Sequence, residues 1–176
     1  MTPIVFYHSY SDALTHSFLE RLSHTSMNPE LHVLRNSEEF ETLDALWQRC
    51  KEADPDAPVL YAHTKGATSE AKFPTVASWR ELMEYFCLDE WEASVARLAS
   101  EELDAVGCNL SYDPWPHFSG NFWWARSGYL NTLVRPGQLL GEFISAGRYE
   151  LETSISLRFV PFIKVGNTVS LKSGDV

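Results

Sequence analysis

Short apolar segments alternate with amphipathic segments along most of this chain, and this alternation limits the possible folds more than any other feature. The apolar segments are rich in β-branched and aromatic residues, which favour strands. Strands are predicted over residues 3–10, 30–35, 57–63, 104–110, 121–126 and 157–165. The segments between several of them read as helices of about 10–15 residues. The sequence therefore predicts a single α/β domain over residues 1–176, with a mostly parallel sheet and helices on both of its faces.

The predicted helices carry their own start signals. Ser11 and Asp12 follow the first strand and suit a helix N-terminus, because a serine hydroxyl accepts a hydrogen bond from a free backbone N–H. The glutamates after Ser37 favour the start of a second helix through the helix dipole. The expected core face of that helix consists of Phe40, Leu43, Leu46 and Trp47. Further helices are predicted over residues 76–86, 89–98 and 127–133.

The charge balance and the cysteine content exclude several functional classes. The 176 residues carry 24 acidic and 14 basic side chains, a net charge of −10, so no nucleic-acid partner is expected. Cys50, Cys87 and Cys108 form no CxxC pair, which argues against disulfides and structural zinc and favours a reducing compartment. No apolar run reaches the roughly 20 residues of a membrane span, and no signal peptide is predicted. We expect a cytoplasmic protein without an integral membrane segment; peripheral attachment to a membrane is left open.

Polar residues follow several predicted strands at the point where each strand ends. His8 and Ser9 follow the first strand, and the run His63-Thr64-Lys65-Gly66 follows the third. Asn109 and the loop through His117 follow the fourth. Ligands of open α/β sheets bind at the carboxyl ends of the strands. We therefore expect these residues to share one site at that edge of the sheet.

The run from His63 to Gly66 has the residue types of a phosphate site. Gly66 allows the backbone to approach a ligand closely. Lys65 supplies a cation, while His63 and Thr64 supply hydrogen-bonding groups. The same residues would also form an ordinary polar turn with a solvated lysine, and their spacing does not separate the two interpretations.

The loop that precedes the strand predicted over 121–126 combines stiffness with hydrogen-bonding and aromatic side chains. Its two prolines restrict the backbone, and Gly120 permits an unusual backbone angle. His117, Ser119 and Asn121 would present donors and acceptors beside aromatic rings. Such rings pack well on the apolar face of a sugar. The alternative interpretation is a rigid cap on the core.

Two charged segments are weaker candidates. Arg148 would pair with a phosphate and Glu150 or Glu152 would act as a general base, although surface ion pairs explain the same pattern. Asp54-Pro55-Asp56 has the spacing of a metal-binding DxD pair, but it precedes a predicted strand instead of following one. Turn chemistry is the preferred interpretation of that segment.

Several segments resemble one group of glycosyltransferase-like proteins. They are VLYAHTKGA, the predicted helix with Trp79-Arg80 and Met83-Glu84-Tyr85, DAVGCN, HFSGNFWWA and the opening FYHSY. The group comprises bacterial and large-virus proteins similar to rhamnan-synthesis, lipopolysaccharide and capsule glycosyltransferases, with related domains in chlorella-virus glycosyltransferases. The resemblance covers roughly residues 3–155, and HTKG followed some fifty residues later by HFSGNFWW is its most specific part.

The resemblance implies a GT-A-like, Rossmann-like fold, a nucleoside-diphosphate sugar as donor, and a glycan or lipid-linked oligosaccharide as acceptor in surface polysaccharide synthesis. HTKG occupies the place where GT-A enzymes usually carry DxD, so Lys65 would neutralise the leaving diphosphate and a role for Mn²⁺ or Mg²⁺ is doubted. Arg148 and Glu152 resemble the late Arg-x-x-x-Glu of the group, which favours Glu152 over Glu150 as the base. A non-catalytic nucleotide-sugar or glycan-binding module of the same fold is the alternative, because the chain is short and lacks a convincing DxD.

The predicted site has three parts. Glu152 and His117 are the candidate catalytic residues. The donor and its diphosphate are assigned to His8, His63, Thr64, Lys65, Gly66 and Arg148. The sugar or acceptor is assigned to Trp115, Ser119, Gly120, Asn121 and Trp123. No residue is assigned to a metal.

Overall fold

The fold is given by a computed structural model that describes residues 1–35, 39–67, 75–100, 103–111, 117–137, 163–165 and 168–171. The strands are β1 (Ile4–His8), β2 (Glu30–Leu34), β3 (Pro58–His63), β4 (Ala105–Gly107), β5 (Leu110–Ser111), β6 (His117–Phe118), β7 (Trp123–Arg126), β8 (Ile163–Val165) and β9 (Thr168–Leu171). The helices are α1 (Asp12–Ser23), α2 (Glu39–Cys50), α3 (Thr75–Glu84), α4 (Trp91–Ser100) and α5 (Ser127–Thr132), and a π-helical turn (Tyr85–Asp89) joins α3 to α4.

The predicted alternation of strands and helices is confirmed from β1 to α5, with shifted boundaries. The hydroxyl of Ser11 accepts a hydrogen bond from the backbone N–H of Leu14 at 3.4 Å, as expected for the start of α1. The strand predicted over 104–110 ends at Gly107, and Leu110 pairs instead with Phe118 in a separate two-stranded hairpin. Of the strand predicted over 157–165, the described part is β8.

The sheet has seven strands in the order β2-β1-β3-β7-β4-β9-β8, and it is mixed. β1 pairs in parallel with β2 and β3, whereas β7 runs antiparallel between β3 and β4. The prediction of a mostly parallel sheet was therefore wrong. The physical reason is the connection from β4 to β7, which passes through the β5–β6 hairpin instead of the helical crossover that parallel neighbours need.

Helices cover both faces of the sheet, as predicted. Because successive strand residues point to opposite faces, Phe6 and Tyr61 belong to the core that α2 and α5 cover, while Tyr7 and Leu60 face α1, α3 and α4. Trp124 of β7 is fully buried on the second face, where its Nε1 donates to the carbonyl of Cys87 at 2.9 Å. Two separate cores thus hold the central strands rigidly.

The three cysteines, Cys50, Cys87 and Cys108, are free and buried. Burial raises the pKa of the Cys50 thiol to about 12 and that of Cys108 to about 11. Both thiols therefore stay protonated near neutral pH and pack as small apolar groups. Within the described part of the chain, no helix has the length and apolarity to cross a membrane.

The central position of β3 leads to a test by matched truncation. Leu60→Ala should lower the free energy of unfolding by about 2–5 kcal/mol, because Leu60 is fully buried and its loss leaves a cavity. Leu31→Ala removes the same atoms from edge strand β2, where the side chain is 40% exposed, and should cost far less. Urea unfolding of both variants checks this. Equal losses would contradict the central burial of β3.

Candidate functional site

The carboxyl ends of β1 and β3 meet the start of β7 at one edge of the sheet. His8 and His63 are register partners in the parallel pair, and the backbone N–H of Thr64 donates to the carbonyl of His8 at 2.9 Å. Tyr61 is paired with Trp123, so the residues that lead into β7 lie beside the end of β3. The polar clusters that follow β1 and β3 are therefore adjacent, as predicted.

One hydrogen bond joins the two segments that the sequence singled out. The Nε2 of His63 lies 2.9 Å from the carbonyl oxygen of Gly120. Because a carbonyl only accepts, Nε2 carries the proton, and Nδ1 is the ring nitrogen left to accept a proton or a hydrogen bond. The His63–Gly66 turn and the Ser119–Asn121 turn thus form one structure at this edge.

The His63–Gly66 turn is held by its own backbone and by neighbouring elements. The N–H of Lys65 donates to the carbonyl of His63 at 2.7 Å, and the hydroxyl of Thr64 accepts from the N–H of Tyr10 at 2.7 Å. Gly66 has a φ of +86°, which disfavours any residue with a side chain. A Cβ there would also lie 2.5 Å from Cγ1 of Val76. Thr64 and Gly66 therefore shape the turn.

Lys65 presents its cation at this turn. Its Nζ lies 4.9 Å from the ring centroid of Trp79, which is within the range of a cation–π contact. Its backbone carbonyl accepts from Nη1 of Arg80 at 2.9 Å. The Lys65 side chain is partly exposed. Trp79 thus holds the ammonium group of Lys65, Arg80 holds its backbone, and the residue remains accessible to a ligand.

The Ser119–Asn121 turn packs on the same helix. Gly120 has a φ of +96°, and a Cβ there would lie 2.3 Å from Sδ of Met83 and 3.3 Å from Cζ2 of Trp79. Val76, Trp79, Arg80 and Met83 follow helical spacing on α3, so one stripe of that helix seats both turns.

A carboxylate that the sequence prediction missed lies beside these turns. Glu39, the first residue of α2, accepts hydrogen bonds on Oε1 from the hydroxyl of Tyr61 at 2.5 Å and from Nδ2 of Asn121 at 2.8 Å. The Nε1 of Trp123 donates to Oδ1 of Asn121 at 2.9 Å and so fixes the amide of Asn121. Asn121 has a φ of +56°, a left-handed conformation that asparagine tolerates better than most residues.

Glu39 is held in its ionised form. Burial by itself raises its pKa, but the imidazole of His63 and the hydrogen bonds from Tyr61 and Asn121 outweigh that effect, so the pKa lies below its ordinary value. The residue is enclosed by protein groups but remains partly reachable by solvent. At neutral pH the site therefore contains a fixed anion that accepts hydrogen bonds and takes up a proton poorly.

Three residues assigned to ligand contact lie inside the protein. His8 has no exposed surface, and its Nδ1 lies 2.7 Å from the hydroxyl of Thr42. Thr64 is buried, and Trp123 is buried with its ring stacked on Tyr61 at a centroid distance of 5.4 Å. In this structure these side chains are packed inside the protein and support the exposed residues around them.

The structure describes the remaining assigned residues to different extents. Ser119 is partly exposed beside Asn109, whose carbonyl accepts from the Ser119 N–H at 2.9 Å. His117 is placed by its backbone, which pairs with Ser111 in the β5–β6 hairpin. The assigned residues Trp115, Arg148 and Glu152 lie outside the described residues.

The segment Asp54-Pro55-Asp56 forms a turn, as predicted. Asp54 accepts a hydrogen bond on Oδ1 from the N–H of Asp56 at 3.0 Å, and the carbonyl of Pro55 accepts from the N–H of Gly128 at 2.8 Å. The turn precedes β3, so it lies at the opposite edge of the sheet from His63. No cluster of three or more His, Cys, Asp or Glu residues suited to a metal occurs within the described ranges.

A cavity of about 510 Å³ lies at that opposite edge. Its lining is mainly apolar and includes Pro3, Trp91 and Leu98, with Arg126 among its polar residues. Arg126 is already paired with Asp104, at 2.5 Å between Nη2 and Oδ1. The cavity is therefore mainly apolar, and the guanidinium group that lines it is engaged by a carboxylate of the protein.

The family described as Domain of unknown function (DUF8361) matches residues 2–159, so the chain belongs to that family. No curated protein and no solved structure matches the chain.

The lowered pKa of Glu39 gives a prediction for stability against pH. Because the folded pKa lies below the unfolded one, the ionised form favours folding, and this contribution is complete above the ordinary value of 4.5 and is lost as pH falls through the folded pKa. The stability of the unmodified protein relative to Glu39→Gln should therefore shrink as pH falls below 4.5.

Urea unfolding between pH 7 and pH 3 measures this difference. Glu41→Gln is the matched control, because Glu41 is exposed in the same first turn of α2. Both variants remove one negative charge near the N-terminus of the helix, so a difference between them does not come from the helix dipole. A difference for Glu39→Gln that stays constant, or grows toward acid pH, would show that the network does not favour the ionised carboxylate.

Proposed function

We propose that this member of the family is a nucleotide-sugar-dependent glycosyltransferase with a GT-A-like fold, which transfers a sugar to a glycan or lipid-linked oligosaccharide in surface polysaccharide synthesis. The observation that supports this most strongly is the hydrogen bond between His63 and Gly120. It joins HTKG to the SGN of HFSGNFWW, the most specific pair of segments in the resemblance to glycosyltransferases, at the edge of the sheet where such folds bind ligands.

Lys65 is the group we assign to the donor diphosphate. The protein as a whole is acidic, with a net charge of −10, so a phosphate group is attracted only where a local cation is presented. Lys65 is partly exposed, its ammonium group lies over Trp79, and its backbone carbonyl is held by Arg80. Charge-assisted bonds from such a group stabilise the diphosphate as it leaves.

The residues after β3 do not fit a divalent cation. GT-A enzymes usually hold that cation with paired aspartates, whereas this position carries His63, Thr64 and Lys65. A lysine repels Mg²⁺ or Mn²⁺, and these ions prefer several oxygen ligands. Lys65 therefore supplies the countercharge in the proposed reaction, and no step in it depends on a metal.

In the reaction, the bond from the sugar C1 to the diphosphate oxygen breaks while a bond from the acceptor oxygen to C1 forms. The acceptor hydroxyl loses its proton to a base, and the electron pair of the broken C1–O bond stays on the diphosphate oxygen. The resemblance assigns the base to Glu152. His63 is a second candidate, because its Nδ1 remains available while Nε2 is held by Gly120. Glu39 is a poor base, since its pKa is lowered.

Asn121 has a supporting role in this proposal. Its Oδ1 accepts from Trp123 and its Nδ2 donates to Glu39, so both ends of the amide are already engaged. Asn121 therefore orients Glu39 and the turn around Gly120. Ser119, which is partly exposed, is the residue of this turn that we assign to direct contact with the sugar or the acceptor.

A non-catalytic nucleotide-sugar or glycan-binding module is the second candidate. The lowered pKa of Glu39 favours it, because this carboxylate at the described site binds well but accepts a proton poorly. Release of monosaccharide from nucleotide sugars separates the two functions. A binding module shows affinity without turnover, whereas a transferase hydrolyses its donor slowly when no acceptor is present.

Substitution of Lys65 tests the proposal. Lys65→Ala should weaken the binding of a nucleoside diphosphate by about 1.5–3 kcal/mol, the contribution of a charge-assisted hydrogen bond. Calorimetry with UDP and GDP measures the affinity. Lys51→Ala is a matched control, since Lys51 also lies over a tryptophan, with Nζ 4.1 Å from the Trp47 ring, but follows the C-terminus of α2.

The control should bind as the unmodified protein does. Unchanged affinity in Lys65→Ala, or equal losses in both lysine variants, would remove Lys65 from the ligand site. Binding of neither UDP nor GDP by the unmodified protein would contradict the assignment of a nucleotide-sugar donor with these bases.

A further inference from the structure

We propose that Oε2 of Glu39 binds a pair of neighbouring hydroxyl groups on the ligand, a vicinal diol. This inference rests on the proposed function and specifies which chemistry of the ligand the site recognises. It starts from a carboxylate that no motif in the sequence marks and that the fold places next to both candidate turns.

The hydrogen bonds of Glu39 are all on one oxygen. Tyr61 and Asn121 both donate to Oε1, and within the part of the chain that the structure describes Oε2 accepts no hydrogen bond. An ionised carboxylate can accept on both oxygens, and Glu39 remains partly reachable by solvent, so Oε2 is available to accept from a ligand. A hydrogen-bond donor of a ligand would therefore replace solvent at Oε2.

The surroundings of Glu39 favour hydroxyl donors over cations. A calcium or magnesium ion needs several oxygen ligands, and no metal-ligating cluster occurs among the described residues. Hydroxyl groups carry no charge, donate to an anion and suit the proposed sugar nucleotide.

The carboxylate is also preorganised. Trp123 fixes the amide of Asn121, and Asn121 and Tyr61 then fix Oε1, so the position of Oε2 is set before a ligand arrives. Groups held in this way lose little freedom on binding, which increases their effect on affinity. Trp123 and Tyr61 stack on each other, which holds both donors in place.

Two parts of a nucleotide sugar carry vicinal hydroxyls, namely the ribose and the transferred sugar. Calorimetry with four probes separates them: UDP, 2′-deoxy-UDP, UDP-glucose and UDP-2-deoxyglucose. If the ribose is bound, the unmodified protein should prefer UDP over 2′-deoxy-UDP by about tenfold or more, and Glu39→Gln should lose this preference. If the sugar is bound, the unmodified protein should instead prefer UDP-glucose over UDP-2-deoxyglucose by about tenfold or more, and Glu39→Gln should lose that preference.

Glu41→Gln should keep whichever preference the unmodified protein has. Tyr61→Phe provides a second variant, because it leaves Oε2 and its charge but loosens the carboxylate, and it should reduce the preference several-fold. Preferences that are absent in the unmodified protein, or that Glu39→Gln retains, would overturn the inference. If Lys65→Ala still weakens UDP binding in that case, the proposed function stands and only the inference about Glu39 fails. If Lys65→Ala also has no effect on UDP binding, the proposed function and the inference both fail.

Discussion

The antiparallel pairing of β7 with β3 is the constraint on which the candidate site depends. A helical crossover after β4 would have carried the chain away from β3, whereas the short β5–β6 hairpin returns it to the gap between β3 and β4. That return brings Gly120 within a hydrogen bond of His63 and Asn121 within a hydrogen bond of Glu39. Parallel β1 and β3 supply the edge that carries His63 and Lys65, and antiparallel β7 brings the second polar segment to it.

The two faces of the sheet contribute differently to this edge. On one face, the stripe of α3 that includes Trp79 and Arg80 seats both turns and orients the cation of Lys65. On the other, α2 brings Glu39 to Tyr61 and Asn121. The cation of Lys65 and the anion of Glu39 are thus supported by different helices. The nucleotide sugar of the proposed function carries both a group that a cation attracts and groups that donate to an anion.

The sequence was sufficient to predict that strands alternate with helices and that helices cover both faces of the sheet. It also predicted that HTKG lies next to the loop before β7, because strand ends and polar clusters are local features. It was insufficient for the direction of β7, since pairing direction depends on the length of a connection that contains no clear helix. Glu39 was missed because a glutamate in the first turn of a helix is already explained by its interaction with the helix dipole. It could have been found from its position shortly after β2, because β2 ends at the same edge of the sheet as β1, which carries His8. The burial of His8 and Thr64 depends on packing across elements, which spacing does not report.

The most direct test of a shared ligand site at this edge is a titration of the ¹⁵N-labelled protein with UDP, followed by amide chemical shifts. Our account predicts saturable shifts that concentrate at Glu39, at His63–Gly66 and at Ser119–Asn121, with little change at Trp91 and Arg126 in the cavity at the opposite edge. Shifts that concentrate around that cavity, or that affect only one of the two turns, would contradict it.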